Sequence, residues 1–224
     1  MALLFDLDGT LYLESNGYVQ HCRSRAAEFL ARKFGMTVEE AEEKRKLALA
    51  TSNQTVKGLR TLGYDLDDVE FVTYMRAGVE GFLKPNEDLT AFLSSLSHWK
   101  KVVFTNTREV EAEKALACLG IREHFEKKIY GADFMKDTCK PESVAFQKVA
   151  EDVGVDLKEC VMFEDSIKNV VAAKGLGMRT VFVRGRDPEQ GANAKEGSPE
   201  KVIDCACDSL TLANLKDKAG FLWP

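Results

Sequence analysis

Two aspartates, one residue apart, are the first candidates for chemistry in this chain. Asp6 and Asp8 follow the apolar run ALLF at residues 2–5, and a Gly-Thr pair comes next. Alternate residues of an extended strand point to opposite faces, so the two carboxylates share a site only if the strand ends there. Gly9 permits the necessary turn. Carboxylates brought together repel unless a cation or shared protons neutralise them. The spacing therefore indicates a cation site or a proton-transfer site.

More polar side chains follow or close later apolar runs. Thr105 and Asn106 come after the second run, and Glu164 and Asp165 come at the end of the fourth. Lys140 stands in the sequence CKP, just before a predicted helix. In an open parallel sheet, ligands bind beyond the carboxyl ends of the strands, near the point where the winding reverses. We therefore expect the carboxylates, a hydroxyl and an ammonium group to converge on one edge of a sheet.

Such a cluster is suited to phosphoryl transfer assisted by Mg²⁺. This ion prefers hard oxygen ligands and usually keeps waters and a substrate phosphate. One carboxylate could attack phosphorus to form an aspartyl-phosphate, while its neighbour moves the proton of the leaving group. Thr105, backbone amides and Lys140 could hold the phosphoryl oxygens.

The elements that must position these side chains alternate between short apolar runs and segments of helical spacing, which is typical of βαβ units. We predict an α/β fold, a doubly wound parallel-sheet (Rossmann-like) core with both faces covered. The predicted strands are residues 2–5, 101–105, 128–132, 160–164 and 179–183. The predicted helices are 109–120, 142–154 and 166–177, followed by a loop at 185–201, an edge strand and a last helix.

Residues 14–83 break this alternation. Helix-like segments at 18–35, 37–50, 55–63 and 66–83 follow one another without a convincing strand. An all-helical insert after the first strand is the simplest explanation. We therefore predict a catalytic core at 1–13 and 84–224 and a helical cap domain at 14–83.

Four motifs resemble, in their order, the signature motifs of the haloacid dehalogenase superfamily. They are FDLDGTLY (5–12), VVFTNT (102–107), CKP (139–141) and VMFEDSIKNVVAAKGLGM (161–178). The helical insert is similar to the cap that this superfamily places after its first strand. The resemblance implies that Asp6 is the nucleophile and a metal ligand. It also implies that Asp8 is the general acid/base and offers its backbone carbonyl to Mg²⁺.

The same resemblance assigns roles to the other motif residues. It implies that Thr105 and Asn106 bind the phosphoryl group and that Lys140 orients and neutralises it. Asp165 is implied as a metal ligand, and Glu164 as a direct or water-mediated one. Asn169 is implied as a supporting hydrogen-bonding residue.

Two features of the motifs indicate which reaction and which substrate class of the superfamily to expect. Dehalogenases of the superfamily generally lack an acid at the position of Asp8, so its presence favours phosphoryl transfer. The sequences TLY, FTN and DSIKN resemble the pyrimidine 5′-nucleotidase branch, which implies a nucleoside 5′-monophosphate as substrate. In the predicted cap, Asn53, Gln54, Lys57 and Arg76 are candidates for contacts with a base or sugar.

Three alternatives remain open. The substrate could be another small metabolite, such as a sugar phosphate or pyridoxal phosphate. The enzyme could be a phosphotransferase of the phosphoglucomutase kind, which passes the phosphoryl group on instead of releasing phosphate. From a different class, the chain could be a non-catalytic module that binds phosphometabolites.

Composition limits the partners and the compartment. The chain has 224 residues, 31 basic and 36 acidic, for a formal charge of −5. This balance argues against a surface that tracks nucleic-acid phosphates. No apolar run approaches the roughly 18 residues of a membrane span, and Asp6 leaves no room before it for a signal peptide. Six scattered cysteines suggest reduced thiols, so we expect a cytoplasmic protein.

Overall fold

A parallel sheet forms the centre of the computed structural model, which describes residues 1–184 and 202–223. Within these residues the strands are β1 (Ala2–Phe5), β2 (Lys100–Val103), β3 (Cys160–Glu164), β4 (Arg179–Val183) and β5 (Cys205–Cys207). Their spatial order is β2-β1-β3-β4-β5, and all neighbours are parallel. The predicted α/β fold with a doubly wound parallel sheet is therefore confirmed.

The winding of the sheet reverses at β1. The chain leaves β1 for β2 on one side and then returns to place β3 on the other. Phe5 is level with Val103 and Phe163, the neighbouring positions on these two strands. The next residue, Asp6, donates its backbone amide to the carbonyl of Phe163 at 3.0 Å. The strand end that carries Asp6 is thus at the point where open α/β sheets bind their ligands.

Both faces of β1 are buried, as expected for a central parallel strand. Leu4 belongs to a core cluster that includes Phe146 and Val149 of the helix following Lys140. Phe5 points to the opposite face and stacks on Phe163, with ring centroids 4.2 Å apart. Burying an apolar side chain of this size contributes roughly 1.5–3 kcal/mol. This packing fixes the strand end from which the aspartates project.

The helices lie between the strands and in the long insert. In the described residues they are α1 (Tyr18–Phe34), α2 (Val38–Ser52), α3 (Thr55–Thr61), α4 (Asp68–Arg76), α5 (Glu87–Ser95), α6 (Glu109–Leu119), α7 (Ala132–Met135), α8 (Ser143–Val153), α9 (Ile167–Gly175) and α10 (Leu212–Leu215). The edge strand and last helix predicted near the end of the chain correspond to β5 and α10.

Two predicted elements differ from the structure. Residues 128–132 do not form a strand, because only Tyr130 bridges to Phe104 before α7 begins. The Glu109 carboxylate accepts the backbone amides of residues 131, 133 and 134, which holds this backbone in the first turn of a helix. The segment 66–83 is not one helix either. The helix in this segment, Asp68–Arg76, ends at Arg76, and Gly78 takes the left-handed conformation at φ 87°.

By its internal contacts the chain divides into two units, Met1–Ser15 with Leu83–Pro224, and Asn16–Phe82. The second unit contains α1–α4. Phe29 and Phe71 meet edge to face in its core, with centroids 5.3 Å apart. Gly58 allows α3 to approach the backbone of Ala48 on α2, where a Cβ atom would lie 2.7 Å from the Cα atom of Ala48. The role of residues 14–83 as a cap remains a prediction.

Three sequence predictions concern loops, membranes and cysteines. The loop predicted at 185–201 lies outside the described residues. Within 1–184 and 202–223, each helix is too short or too polar to cross a bilayer. The six cysteines all have free thiols.

Candidate functional site

Three buried carboxylates gather at the ends of β1 and β3. Asp6 follows β1, Glu164 is the last residue of β3, and Asp165 comes next. One oxygen from each group lies within 4.8 Å of the others. Burial of charged groups at this density is costly unless cations or hydrogen-bond donors compensate them. This cluster is therefore the strongest candidate for a functional site among the described residues.

Lys140 is the cation that the fold places in this cluster. Its side chain is buried, and Nζ lies 2.6 Å from Asp6 Oδ1 and 2.8 Å from Glu164 Oε2. The ammonium group also lies 5.1 Å from the centre of the Phe104 ring. Lys140 stands between α7 and α8, and its peptide bond to Pro141 is cis. The structure thus joins the third motif to the first and fourth.

Asn106 holds the backbone of Lys140 in place. Its side-chain Nδ2 donates to the Lys140 carbonyl at 3.0 Å, and its Oδ1 accepts the Lys140 amide at 2.9 Å. The side chain therefore anchors the CKP segment, whereas a role in phosphoryl binding remains a prediction. Thr105 of the second motif is buried. Its hydroxyl oxygen accepts a hydrogen bond from the backbone amide of Thr107 at 3.2 Å.

The Glu164 carboxylate is surrounded by donors. Oε1 accepts the amides of Asp165 and Ser166, and Oε2 accepts Lys140 Nζ and Asn169 Nδ2. A carboxylate has about four lone-pair positions, so these four bonds occupy its capacity. A direct metal bond and a hydrogen bond from a metal-bound water would each need one of these positions, so the role of Glu164 as a direct or water-mediated ligand remains a prediction. The predicted supporting residue Asn169 makes its bond to this group at 3.0 Å.

The crowding of charge changes the proton affinity of the cluster. Burial, and then the charge of Glu164, raises the pKa of Asp6 to about 7, although Lys140 acts in the opposite direction. The same two causes raise the pKa of Asp165 well above its usual value. Burial alone disfavours the charged form of Lys140, but the Asp6 and Glu164 carboxylates outweigh it and raise its pKa. The two carboxyl shifts follow from burial and from the mutual repulsion of the carboxylates, which Lys140 offsets only in part.

The turn after Asp6 has a steric requirement at Gly9. This residue adopts φ 84°, a conformation that side chains disfavour, and a Cβ atom there would lie 2.6 Å from the Asp165 carboxyl carbon. Any side chain at this position would therefore displace the Asp165 carboxylate of the fourth motif. The neighbouring Thr10 hydroxyl is buried and makes no hydrogen bond within the described residues.

Asp8 lies on this turn and is half-buried. It is near enough to Asp6 for its charge to contribute to the raised pKa of Asp6. The Tyr12 hydroxyl donates a hydrogen bond to Asp8 Oδ1. Tyr12 has no predicted role, although its aromatic hydroxyl, four residues after the acid, is a signal from which this contact could be expected.

The four residues predicted to set specificity lie in the helical unit. Asn53 follows the last residue of α2 in a left-handed conformation, Gln54 precedes α3, and Lys57 belongs to α3; all three are half-buried. Arg76 ends α4 and is buried, with its guanidinium carbon 5.6 Å from the centre of the Tyr18 ring. Their role in specificity remains a prediction.

The donor set fits a small, hard divalent cation. Asp6, Glu164 and Asp165 offer only carboxylate oxygens, and Lys140 leaves two net negative charges when all three are ionised. Oxygen ligands with an excess of negative charge suit Mg²⁺ better than softer metals, which prefer nitrogen or sulfur. Asp6, at the strand end and next to an ammonium group, is also placed as a nucleophile would be.

Comparisons with known proteins agree with this geometry. A family model for haloacid dehalogenase-like hydrolases matches residues 1–177. The phosphoglycolate phosphatase of Neisseria meningitidis serogroup A is 31% identical over 117 residues, covering 51% of this chain and 49% of that protein. The fructose-1-phosphate phosphatase of Escherichia coli K12 is 38% identical over 82 residues, covering 37% of this chain and 43% of that protein. The matches to these two relatives thus span about half of their length or less.

Solved structures match nearly the whole chain in fold. A HAD phosphatase from Thermococcus onnurineus has a TM-score of 0.64 at 23% identity and covers 93% of this chain and 94% of its own. A β-phosphoglucomutase from Clostridium difficile has a TM-score of 0.62 at 19% identity and covers 99% and 96%. At such identities the likeness shows the fold alone. The family model, matching well over half of the residues, shows that the chain belongs to the haloacid dehalogenase-like hydrolase family.

Proposed function

We propose that this protein is a Mg²⁺-dependent phosphomonoesterase that acts through an aspartyl-phosphate on Asp6. The observation that carries the proposal is the buried group of Asp6, Glu164 and Asp165 with Lys140 among them, at the switch point of the sheet. Family membership supports hydrolysis, and Asp8 supports a phosphate ester as the substrate.

In the first step, a carboxylate oxygen of Asp6 attacks phosphorus and the bond to the ester oxygen breaks. Asp8 gives its proton to the departing oxygen, so the alcohol leaves neutral. Lys140 holds Asp6 by a hydrogen bond of 2.6 Å and thereby orients the nucleophile. Mg²⁺, when bound by Asp6 and Asp165, supplies positive charge that keeps Asp6 ionised and stabilises the transferring phosphoryl group.

In the second step, Asp8 accepts a proton from water as the water attacks the phosphorus of the aspartyl-phosphate. The bond between phosphorus and the Asp6 oxygen breaks, which releases inorganic phosphate and restores both carboxyl groups. Thr105 and the backbone amides near it are proposed to hold the phosphoryl oxygens, where charge stabilisation contributes most.

The substrate is proposed to be a small phosphorylated metabolite. The curated relatives carry the names of phosphatases for phosphoglycolate and fructose 1-phosphate, which favours a small phosphorylated acid or sugar. The motif resemblance favours a nucleoside 5′-monophosphate instead. We propose Asn53, Gln54, Lys57 and Arg76 as the residues to test for this choice. A cytoplasmic location, predicted from composition, is part of the same proposal.

The test is phosphate release from a panel of monoesters with Mg²⁺ or with a chelator. The panel contains phosphoglycolate, fructose 1-phosphate, nucleoside 5′-monophosphates and pyridoxal phosphate. Asp6→Asn is expected to abolish release from every ester. Asp152→Asn is the matched control, because Asp152 forms an ion pair with Lys128 at 2.7 Å and is partly exposed; it should retain wild-type activity.

Each outcome separates the candidate functions. Release that needs Mg²⁺ and Asp6 supports the phosphomonoesterase, and the preferred ester identifies the substrate class. An isomerised sugar phosphate without free phosphate would point to a phosphotransferase. No reaction with any ester, or full activity in Asp6→Asn, would refute the proposed mechanism and favour a binding module.

A further inference from the structure

We infer that Tyr12 is a positioning residue for Asp8, and that it holds the Asp8 carboxyl group in the orientation from which it protonates the leaving group. This inference rests on the proposed function, because it assumes that Asp8 acts as the general acid. Its carrying observation is the hydrogen bond from the Tyr12 hydroxyl to Asp8 Oδ1, made within the first motif.

The turn that carries Asp8 is fixed from both sides. The amides of Thr10 and Leu11 donate to the Leu7 carbonyl at 3.3 and 3.0 Å, so the backbone after Asp8 folds back on itself. Asp8 and Tyr12 also form an isolated β-bridge. The ring of Tyr12 is 5% exposed, so packing restricts its rotation. A buried tyrosine whose hydroxyl reaches a carboxylate is a rigid donor.

A rigid donor matters because Asp8 itself is half-buried and not fixed by burial alone. The carboxyl group of an aspartate rotates about its last bond, and proton transfer requires the acid within hydrogen-bond reach of the leaving oxygen. A donor held at Oδ1 restrains that rotation. Loss of orientation by about one ångström is enough to reduce the rate of a catalysed step strongly.

If Tyr12 positions the general acid, removal of its hydroxyl should lower kcat/KM by an amount that depends on the leaving group. Departure of phenol from phenyl phosphate benefits from protonation, because phenol, like tyrosine, has a pKa of about 10. The nitrophenolate of p-nitrophenyl phosphate leaves without help from an acid. The two esters have nearly the same shape, so binding differences are small. The ratio kcat/KM reports the steps up to departure of the phenol and is independent of later hydrolysis of the aspartyl-phosphate.

The experiment compares Tyr12→Phe with the wild type on these two esters, in the presence of Mg²⁺. For phenyl phosphate we expect kcat/KM to fall at least about tenfold, a part of the 10²–10⁴ that a general acid supplies. For p-nitrophenyl phosphate we expect a change within about threefold. Asp8→Asn provides the reference pattern for loss of the acid itself. Phenylalanine keeps the buried ring, and thermal unfolding verifies that the variant is folded.

Tyr130→Phe is the matched control. Its hydroxyl also donates to an aspartate, Asp152, at 2.8 Å, and its ring is buried. This variant should leave kcat/KM unchanged for both esters. The inference on Tyr12 is overturned if Tyr12→Phe lowers kcat/KM equally for both esters. It is also overturned if Tyr12→Phe leaves kcat/KM unchanged while Asp8→Asn lowers it more for phenyl phosphate than for p-nitrophenyl phosphate. If the wild type releases phosphate from no ester of the metabolite panel, or Asp6→Asn remains fully active, it is the proposed function that fails.

Discussion

The buried lysine of the site offers a quantitative test of its electrostatics. Lys140→Met keeps a long side chain against the Phe104 ring but removes the ammonium group that pairs with Asp6 and Glu164 at 2.6 and 2.8 Å. Removing one partner of a buried ion pair costs about 3–5 kcal/mol, because the remaining charges stay buried without compensation. We expect the free energy of unfolding of the metal-free protein to fall by this amount. A typical domain remains folded after such a loss.

The assay is urea denaturation in chelator, repeated at increasing pH, because removal of Lys140 raises the pKa of Asp6 further and proton uptake by Asp6 then offsets part of the loss at neutral pH. Lys128→Met is the matched control. Lys128 lies 2.7 Å from Asp152, between the 2.6 and 2.8 Å of the two buried pairs, but its side chain is 49% exposed. An exposed pair contributes at most about 1 kcal/mol. Equal losses in the two variants would refute the assignment of Lys140 as the charge that stabilises the carboxylate cluster.

Three further predictions concern the same site. Gly9→Ala should weaken Mg²⁺ binding in calorimetric titration, since its Cβ atom displaces the Asp165 carboxylate, and should cost about 1–2 kcal/mol of stability for the left-handed backbone. Unchanged affinity would contradict the close approach. Asn106→Ala should lower kcat by about tenfold or more, because both of its bonds to the Lys140 backbone are lost. Unaltered kcat would show that they do not position Lys140. Because the pKa of Asp6 is raised from 3.8 to about 7, the folded protein keeps a proton that the unfolded chain loses, so the metal-free protein should unfold at lower temperature as pH rises from about 4 to 7 and then level off, and saturating Mg²⁺ should reduce this dependence. A melting temperature that increases over that interval would oppose the assignment.

The placement of the core residues was predictable from the sequence for a simple physical reason. Asp6, Glu164 and Asp165 lie at the ends of strands that are continuous apolar runs, and parallel strands bring their carboxyl ends to one edge. The position of Lys140 at that edge was predicted from the order of the four motifs along the chain. The register of β1 with β3 then sets the contact distances, which no local pattern contains.

The features that could not be predicted from the sequence depend on contacts that form only in the folded protein. Residues 128–132 read as a strand, yet the carboxylate of Glu109, about twenty residues away in the chain, holds the adjacent backbone in a helix. No local pattern showed that the Asn106 side chain bonds to the backbone of Lys140, 34 residues distant; its role as a phosphoryl ligand remains a prediction. The bond from Tyr12 to Asp8 is local in sequence, but it depends on the fold of the Gly9 turn.

The central claim is that Asp6 becomes phosphorylated during turnover. The most direct measurement is acid quenching of the protein during hydrolysis of the best ester of the panel, followed by peptide mass spectrometry. We predict one phosphoryl group, labile to hydroxylamine, on the peptide that contains Asp6, and its absence in chelator. Continuous release of phosphate with Asp6 unmodified at every quench time, and with Asp6→Asn still active, would contradict the account.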